Sequence, residues 1–378
     1  MHLDHSSSNS NSSNSNISSS SNNNTEKNVA KKKSSRTLKL VLIIILVIAV
    51  LVTGVAILLS STVAPPQIPN LPVAIDGDDE YDPDEIPDLD MEGSGLIAPA
   101  RFTAEDRKEQ FFTFLIVGLN EGTNANTIMV ASYDAINNEA HLVSIPRDSL
   151  INTNRAGRKL SSSFMAGAGG GRGTAGGVAQ MQRDVMTVIG FVPDFYFIID
   201  YDAFTSIVDA VGGIYVYVPF RMRYTDRFQD LDIDIAAGLQ HMDGETALQF
   251  ARFRRNNPGF RGINDYERIE NQQTVVNAVL EKLMRPANIF RIPEFVSIFN
   301  DSVHTNLSVG NMLWFANELN KIRGTDALST HTVPMAGTSG EPMWYELLNA
   351  PGIVNLVNET INPFTQDIER RDLNITHQ

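Results

Sequence analysis

The residues with the clearest chemical potential are arginines clustered in the second half of the chain. The segment from Arg252 to Arg268 is locally basic, although the whole chain of 378 residues carries a formal net charge of −14. Asp265, Arg268 and Gln272 are spaced three and four residues apart, so on a helix they share one face. Such a basic face can bind an anion. The alternative is a structural salt bridge between Asp265 and an arginine.

The helix that would carry this face has a start signal and an apolar stripe. Asn264 can cap it, and Glu267 can reach back to the cap, which is the spacing of a capping box. Apolar residues then recur at helical spacing. They are Ile269, Val276, Leu280 and Leu283. Because polar residues lie beside this stripe, we expect the helix to line a polar site.

The preceding chain alternates strand-like and helical patterns that are typical of an α/β domain. Strands are predicted at residues 111–119, 127–133, 141–145, 195–199 and 214–218, with the second and third forming a hairpin. Asp202 is predicted to cap a helix that runs to Val211 and ends at two glycines. A second helix is predicted near residues 246–251, which leaves Arg252 and Arg254 at its end.

Three further regions complete the predicted domain. The Gly-rich residues 166–177 lack the Gly-Lys-Ser/Thr ending of a phosphate-binding loop, so we predict a flexible loop there. Residues 312–322 have a helical pattern and residues 331–334 a strand-like one, and both could complete the same fold. The sequence contains no recognisable zinc, cytochrome-like or Ser-His-Asp motif.

The first hundred residues predict an anchored protein. Residues 1–36, rich in Ser and Asn, are expected to form a disordered cytoplasmic tail. Residues 38–60 include an uncharged run, 40–59, that matches a hydrocarbon core of roughly 30 Å. Basic residues precede this run and none follows until Arg101, which predicts a single-pass helix in the cell membrane with the C-terminal domain outside. A cleavable signal peptide is the alternative, but its apolar region would span only about 7 to 15 residues.

Residues 63–105 are expected to form an extended stalk. They are rich in proline, and ten acidic residues fall between Asp76 and Glu92. A calcium site is the alternative, but the Asp-x-Asp-x-Asp-Gly spacing of such a loop is missing. Because much of the negative charge lies in the stalk, the folded domain can still bind an anion. A nucleic-acid partner is not expected, since no basic repeat interleaved with aromatic residues occurs.

Six segments follow one another in a distinctive order. They are FLIVGLN at 114–120, VSIPRD at 143–148, the stretch after Lys159, residues 200–219, residues 238–254 and DYERIENQQ at 265–273. Together they resemble the LytR-CpsA-Psr (LCP) family of cell-envelope glycopolymer phosphotransferases. The resemblance implies an α/β (α-β-α) domain with a central mixed sheet over residues 109–340, then a C-terminal extension, 341–378. It also implies transfer of a polyprenyl-pyrophosphate-linked glycopolymer, such as a teichoic acid or capsular polysaccharide, onto peptidoglycan.

The resemblance also implies roles for individual residues. An apolar pocket would hold the polyprenyl chain, and arginines at its mouth would hold the pyrophosphate. Carried over to the matching positions, the catalytic residues are Arg147, Arg252, Arg254, Asp265, Arg268 and Gln272. The substrate-binding residues are the same four arginines with Gln272 and Lys159. Guanidinium groups suit phosphate because they offer paired donors and stay charged.

The chain departs from the family pattern at the expected metal site. The family has two aspartates that hold Mg²⁺, and this chain has Asn120 and Asn126 in their places, with Asn124 replacing an arginine. The resemblance implies a bound Mg²⁺ ion. These two positions argue against it, because a hard divalent cation prefers carboxylates and amides carry no negative charge. Three interpretations remain: transfer on arginines alone, metal held by other acids such as Asp148 or Asp265, or non-catalytic binding of polyprenyl phosphate.

Overall fold

The computed structural model describes residues 65–68, 102–120, 123–155, 157–227, 231–256, 261–285, 292–318, 328–340 and 343–375. The chain divides into two compact units, Met1–Thr62 and Val63–Gln378, and all described residues belong to the second. The predicted tail, transmembrane helix and most of the stalk therefore lie outside the described residues. No helix within those ranges is long and apolar enough to cross a membrane.

The described part of the chain contains twelve strands and eight helices. The strands are β1 (Phe111–Leu119), β2 (Ala125–Asp134), β3 (Glu139–Ser144), β4 (Phe195–Ile199), β5 (Ile214–Val218), β6 (Met222–Asp226), β7 (Leu231–Ile235), β8 (Gly238–Met242), β9 (His304–Thr305), β10 (Leu328–Thr332), β11 (Met335–Ser339) and β12 (Tyr345–Leu348). The helices are α1 (Ser163–Ala168), α2 (Gly173–Ile189), α3 (Tyr201–Ala210), α4 (Gly244–Arg252), α5 (Asp265–Leu283), α6 (Ile292–Ser302), α7 (Val309–Glu318) and α8 (Ala350–Thr360).

Six of the strands form a central mixed sheet in the order β10-β3-β2-β1-β4-β9. The hairpin partners β2 and β3 pair antiparallel, as predicted. In the middle of the sheet, β1 pairs antiparallel with β2 and parallel with β4. At one edge β10 pairs parallel with β3, so the late strand-like segment does join the same sheet. The predicted mixed α/β architecture is therefore confirmed.

Strand β1 is buried on both faces, and its side chains alternate between two apolar cores. On one face, Leu115 and Val117 pack in a core that includes α2 and α8. On the other, Phe112 and Phe114 belong to an aromatic core with Trp314 of α7. Helix α8 lies in the segment expected to be a C-terminal extension, and its apolar side chains pack in the first core.

A second group of elements packs around its own apolar core and faces the sheet across the cavity described below. The inward residues of β5 alternate with exposed ones, as in a half-buried strand. Ile214, Val216 and Val218 pack there with Phe250 of α4 and Val275 of α5. This core therefore fixes α4 and α5, which carry most of the predicted site, as one group.

Three helices that border the cavity start at side-chain caps. Asp243 caps α4, and Asn264 with Glu267 forms the predicted capping box of α5, with both hydrogen bonds at 2.9 Å. The prediction for α3 is two residues too late. Asp200 is the cap, accepting a backbone N–H at 2.8 Å, and Asp202 lies in the first turn of the helix.

The Gly-rich residues 166–177 do not form a flexible loop, so that prediction is wrong. They end α1 and begin α2, and the two helices touch at Gly167 and Gly176. A Cβ atom on either glycine would collide with the backbone carbonyl of the other. The glycines therefore allow a close approach of two helices, a role that composition alone does not distinguish from a loop.

Helices α3 and α4 approach closely at Gly244. A Cβ atom there would collide with the backbone of Thr205, and the Gly244 N–H donates to Asp209 Oδ1 at 2.7 Å. The far end of α4 carries Arg252, whose guanidinium carbon lies 4.5 Å from the ring centroid of Tyr201 at the start of α3. The α3–α4 contact thus helps to place an arginine of the site.

Gly244→Ala should lower the free energy of unfolding by about 1–3 kcal/mol, because the opposing atoms are backbone and cannot turn away. Urea denaturation of the purified protein measures this change. The matched control is Gly310→Ala in α7, where a Cβ atom would meet only Ser308 Oγ at 3.8 Å. We expect that control to be neutral or stabilising by up to about 1 kcal/mol. Equal stabilities of Gly244→Ala and wild type would contradict a tight α3–α4 contact.

Candidate functional site

A cavity of about 1020 Å³ lies between the ends of β1 and β2 and the helices α3, α4 and α5. Much of its lining is apolar and includes Ile116, Leu119, Met129, Phe204, Leu231, Leu248, Val275 and Val276. Its polar lining includes Asn120, Asn126, Arg147, Arg252, Arg254, Asp265, Arg268 and Gln272. The structure therefore brings the six residues predicted as catalytic to one cavity, together with both asparagines.

Asp265, at the start of α5, contacts two arginines through one oxygen. Its Oδ1 atom accepts a hydrogen bond from Arg254 Nη2 at 3.0 Å and forms an ion pair with Arg268 Nη1, also at 3.0 Å. The Arg268 side chain is only 7% exposed, whereas that of Arg254 is 51% exposed. Burial opposes ionisation of Asp265, but the charges of Arg268 and Arg254 outweigh it and lower the pKa of the carboxyl group. The carboxylate therefore orients two guanidiniums, one buried and one open to solvent.

The other two arginines are positioned by uncharged partners. Arg147 Nη1 donates to Asn126 Oδ1 at 2.6 Å, and Asn126 Nδ2 donates to the Tyr201 hydroxyl at 3.3 Å. The guanidinium of Arg252 lies over the Tyr201 ring in a cation–π contact. A row of contacts therefore joins the strand β2, the loop after β3 and the ends of α3 and α4.

Positive charge exceeds negative charge at this polar end of the cavity. Burial, then the nearby charge of Arg254, lowers the pKa of Arg147. Burial and the charge of Arg147 lower the pKa of Arg268 to about 10, which still leaves that group cationic at neutral pH. The lining contains five arginines, Arg255 included, against three aspartates, Asp200, Asp226 and Asp265. Asp148 lies beside the lining, 3.9 Å from Arg147 Nε, so one positive charge is left in excess. The salt bridge expected between Asp265 and an arginine is present, but the remaining positive charge still favours the binding of an anion.

Asn120 and Asn126 both use their amide oxygens in contacts within the protein. Asn120 Oδ1 accepts the backbone N–H of Asn124 at 2.9 Å and so closes the loop after β1. Asn126 Oδ1 accepts from Arg147. The amides thus serve as neutral hydrogen-bond acceptors at the two positions where the family resemblance implied metal-binding carboxylates.

Of the four acids in or beside the cavity, Asp200 caps α3 and Asp226 accepts from the Tyr224 hydroxyl. The other two are paired with cations of the protein. Asp148 Oδ1 lies 3.1 Å from Lys159 Nζ, and Asp265 is occupied by Arg254 and Arg268. Across the described ranges, no three His, Cys, Asp or Glu side chains lie close enough to hold a metal ion together. This set of donors does not fit a hard divalent cation, which needs several free oxygen ligands.

One predicted substrate-binding residue lies apart from the others. Lys159 pairs with Asp148 beside the cavity and does not belong to its lining. Sequence reasoning missed Tyr201, whose ring supports Arg252, and Arg255, which also lines the cavity. The sequence contains little indication of either residue. Aromatic residues are common in the first turn of a helix, and Arg255 is one of several arginines in a basic run.

Comparison with known proteins gives distant relatives, among them a named transferase and a named regulatory protein. The chain is 26% identical over 218 residues to "Polyisoprenyl-teichoic acid--peptidoglycan teichoic acid transferase TagV" of Bacillus subtilis (strain 168), covering 54% of this chain and 52% of TagV, about half its length. It is 21% identical over 242 residues to "Regulatory protein MsrR" of Staphylococcus aureus (strain COL), covering 62% of this chain and 68% of MsrR.

The fold is similar to that of a solved relative. The crystal structure of B. subtilis TagV matches with a TM-score of 0.55 at 23% identity, covering 66% of this chain and 95% of that one. Residues 94–362, more than half of the chain, match the LytR_cpsA_psr family. The segments at 114–120, 143–148 and 265–273 that carried the resemblance lie inside this match. The chain therefore belongs to the LytR_cpsA_psr family.

Proposed function

We propose that this protein transfers a polyprenyl-pyrophosphate-linked glycopolymer, of the teichoic acid or capsular polysaccharide class, onto peptidoglycan. The observation that carries the proposal is one cavity with both an apolar lining and four convergent arginines. A polyprenyl pyrophosphate has the matching parts, because it joins a long hydrocarbon chain to a multiply charged anion. TagV, by its name a polyisoprenyl-teichoic acid–peptidoglycan teichoic acid transferase, supports the same substrate class.

The arginines are held in place before any ligand arrives. Asp265 orients two of them, the Tyr201 ring supports a third, and Asn126 contacts the fourth. Phosphoryl transfer depends mainly on positioning and on stabilising the charge of the transition state. Guanidiniums that need little rearrangement can therefore supply much of the required stabilisation, and bidentate contacts to phosphate oxygens would also orient the donor.

We propose that the site does not depend on Mg²⁺. Support comes from the amide oxygens of Asn120 and Asn126, which are hydrogen-bonded inside the protein, and from the pairing of Asp148 and Asp265 with basic side chains. In this proposal the arginines take over the charge neutralisation that a divalent cation would otherwise supply when bound.

A second candidate function is non-catalytic binding of polyprenyl phosphate in the cell envelope. The observation that favours it is the replacement of two implied metal carboxylates by Asn120 and Asn126. The relative MsrR carries the name of a regulatory protein and not of a transferase. The two candidates differ in one measurable property, since both predict binding of the lipid phosphate but only the transferase predicts release of polyprenyl phosphate.

Arg252→Ala should lower kcat/KM for release of polyprenyl phosphate by about 10²–10³-fold, because one preorganised cation is lost. The assay uses the detergent-solubilised full chain, a polyprenyl-pyrophosphoryl glycan and peptidoglycan fragments. Arg221→Ala is the matched control, since Arg221 is an exposed arginine that pairs with Asp234 and does not line the cavity. If the wild type releases nothing, with or without Mg²⁺, but pyrophosphate still raises its Tm, the non-catalytic candidate is favoured.

Replacing Asn120 and Asn126 together by Asp should make pyrophosphate binding and turnover depend on Mg²⁺, because two carboxylates then face the arginine cluster. Titration calorimetry and the release assay, each with EDTA or with added Mg²⁺, measure this dependence. Replacing Asn137 and Asn138 by Asp adds the same charge in the β2–β3 turn and should leave both readouts unchanged. Wild-type turnover that EDTA abolishes and Mg²⁺ restores would contradict a metal-independent site.

We also propose that residues 38–60 anchor the protein in the cell membrane, with the N-terminus cytoplasmic and the domain outside, carried by the stalk at residues 63–105. The uncharged run and its basic flank support this topology. The full chain should stay with the membrane fraction after a high-salt wash, and protease added to cell-wall-stripped cells should digest the domain. Protection of the domain until the cells are lysed would contradict the outward orientation.

A further inference from the structure

Beside the cavity, the β11–β12 hairpin and the loop after β3 form a surface that the arginine cluster does not use. The backbone N–H of Glu346 donates to the Asp148 carbonyl at 2.9 Å, and the Glu346 carbonyl accepts the N–H of Leu150 at 2.9 Å. Because Asp148 directly follows Arg147, these bonds hold β12 next to the cavity. We name this surface the shelf, and it comprises Asp148, Lys159, Tyr266, Trp344, Tyr345 and Glu346.

The shelf carries aromatic side chains that are open to solvent. Trp344 is 65% exposed and Tyr266 is 46% exposed. Lys159 Nζ lies 6.0 Å from the ring centroid of Tyr345, within reach of a cation–π contact. An exposed tryptophan leaves a large apolar surface in water, and such surfaces next to a cavity are typical of ligand sites.

The Glu346 carboxylate is the one unpaired charge of the shelf. It is partly buried, yet it makes no hydrogen bond or ion pair with any described residue. The charged groups that act on it are Asp265 on α5 and Asp148 and Lys159 on the loops. Burial, followed by the negative charges of Asp265 and Asp148, raises the pKa of Glu346. The charge of Glu346 in turn helps to raise the pKa of Tyr266, after burial.

The shelf is continuous with the arginine cluster at two points. Arg147 and Asp265 line the cavity, and the next residue in each case, Asp148 and Tyr266, belongs to the shelf. A donor whose phosphates occupy the arginines can be attacked only by a group that arrives from an adjoining surface. Sugar rings present apolar C–H faces that pack on aromatic rings, and their hydroxyls donate to carboxylates.

We propose that the shelf binds the acceptor glycan, with Trp344 against a sugar ring and Glu346 accepting the proton of the attacking hydroxyl. This inference rests on the proposed transferase function and adds to it the site of the second substrate. Of the residues carried over from the family resemblance, only Lys159 belongs to the shelf, and neither Trp344 nor Glu346 is among them.

In the proposed step, the acceptor hydroxyl oxygen forms a bond to the phosphorus that bears the glycan. The bond from that phosphorus to the oxygen bridging the two phosphates breaks, and polyprenyl phosphate leaves with the electron pair. The hydroxyl proton moves to a carboxylate oxygen of Glu346 and then to solvent. The product is a phosphodiester between the glycan and the acceptor sugar, and no oxidant or reductant takes part.

The aromatic part of the shelf is tested with the detergent-solubilised full chain and soluble peptidoglycan fragments. Trp344→Ala should raise the KM for the fragments about tenfold while the KM for the donor stays unchanged. Trp344→Tyr should restore most of the loss, since it keeps a ring. Tyr217→Ala is the matched control, because Tyr217 is 70% exposed on β5 and is not part of the shelf.

Tryptophan fluorescence gives a readout that does not need turnover. The chain has two tryptophans, Trp314 with 6% exposure and Trp344 with 65% exposure. Fragments that cover the shelf should shift the wild-type emission, and Trp344→Tyr should remove that shift.

Glu346→Gln should lower kcat for transfer by about 10²–10⁴-fold, because the amide cannot take the proton. The rise in Tm that pyrophosphate causes should equal that of wild type, which shows an intact fold and phosphate site. Glu139→Gln, an exposed change on β3, is the control and should leave both readouts unchanged. If Glu346→Gln loses the pyrophosphate response, the variant has disturbed the phosphate site, and the Trp344 variants then decide the case.

The outcomes separate this inference from the proposed function. Wild-type release with unchanged acceptor KM in Trp344→Ala and unchanged kcat in Glu346→Gln would overturn the shelf and leave the transferase standing. An absence of release by the wild type would overturn the transferase. In that case the shelf is judged by fluorescence alone, and fragments that leave the emission of Trp344 unchanged would overturn it as well.

Discussion

One oxygen of Asp265 forms ion pairs with both Arg254 and Arg268, so the guanidiniums of the cavity outnumber the carboxylates that pair with them. Burial, and then repulsion by the charge of Arg147, lowers the pKa of Arg268, so both effects oppose the charge of this guanidinium. Arg252 and Arg147 contact the Tyr201 ring and the Asn126 amide, which carry no charge and so do not neutralise these guanidiniums. The cavity therefore keeps an excess of positive charge, which favours the binding of a polyanion.

Keeping four guanidiniums together requires rigid support from several elements. Backbone contacts at Gly244 bring α3 and α4 close enough for Tyr201 to lie under Arg252. The apolar core around Phe250 and Val275 joins α4 to α5. The fold makes these contacts without the ligand, so the arginine side chains need little further ordering when a ligand binds. This favours both the affinity for the ligand and the stabilisation of the transition state.

Local patterns were sufficient to predict the helices α3, α4 and α5, which border the cavity, and one face of the site. The capping box and the spacing of Asp265, Arg268 and Gln272 follow from helix geometry, so α5 and its polar face were predictable before any tertiary contact was known. The long apolar run of β1 and the β2–β3 hairpin were also predicted correctly. Local patterns failed where one residue type serves two purposes, as with the glycines of residues 166–177, which join helices and do not form a loop.

The sequence by itself determined the family, the cap of α5 and the basic run that contains most of the arginines of the site, because each depends on residue type or on spacing within a few turns. Only the tertiary structure decided that Arg147 and Arg252 reach the same cavity through Asn126 and Tyr201, and that Glu346 stands beside them. These contacts join residues far apart in the chain. They depend on strand register and helix packing, which arise from the whole core and have no local period in the sequence.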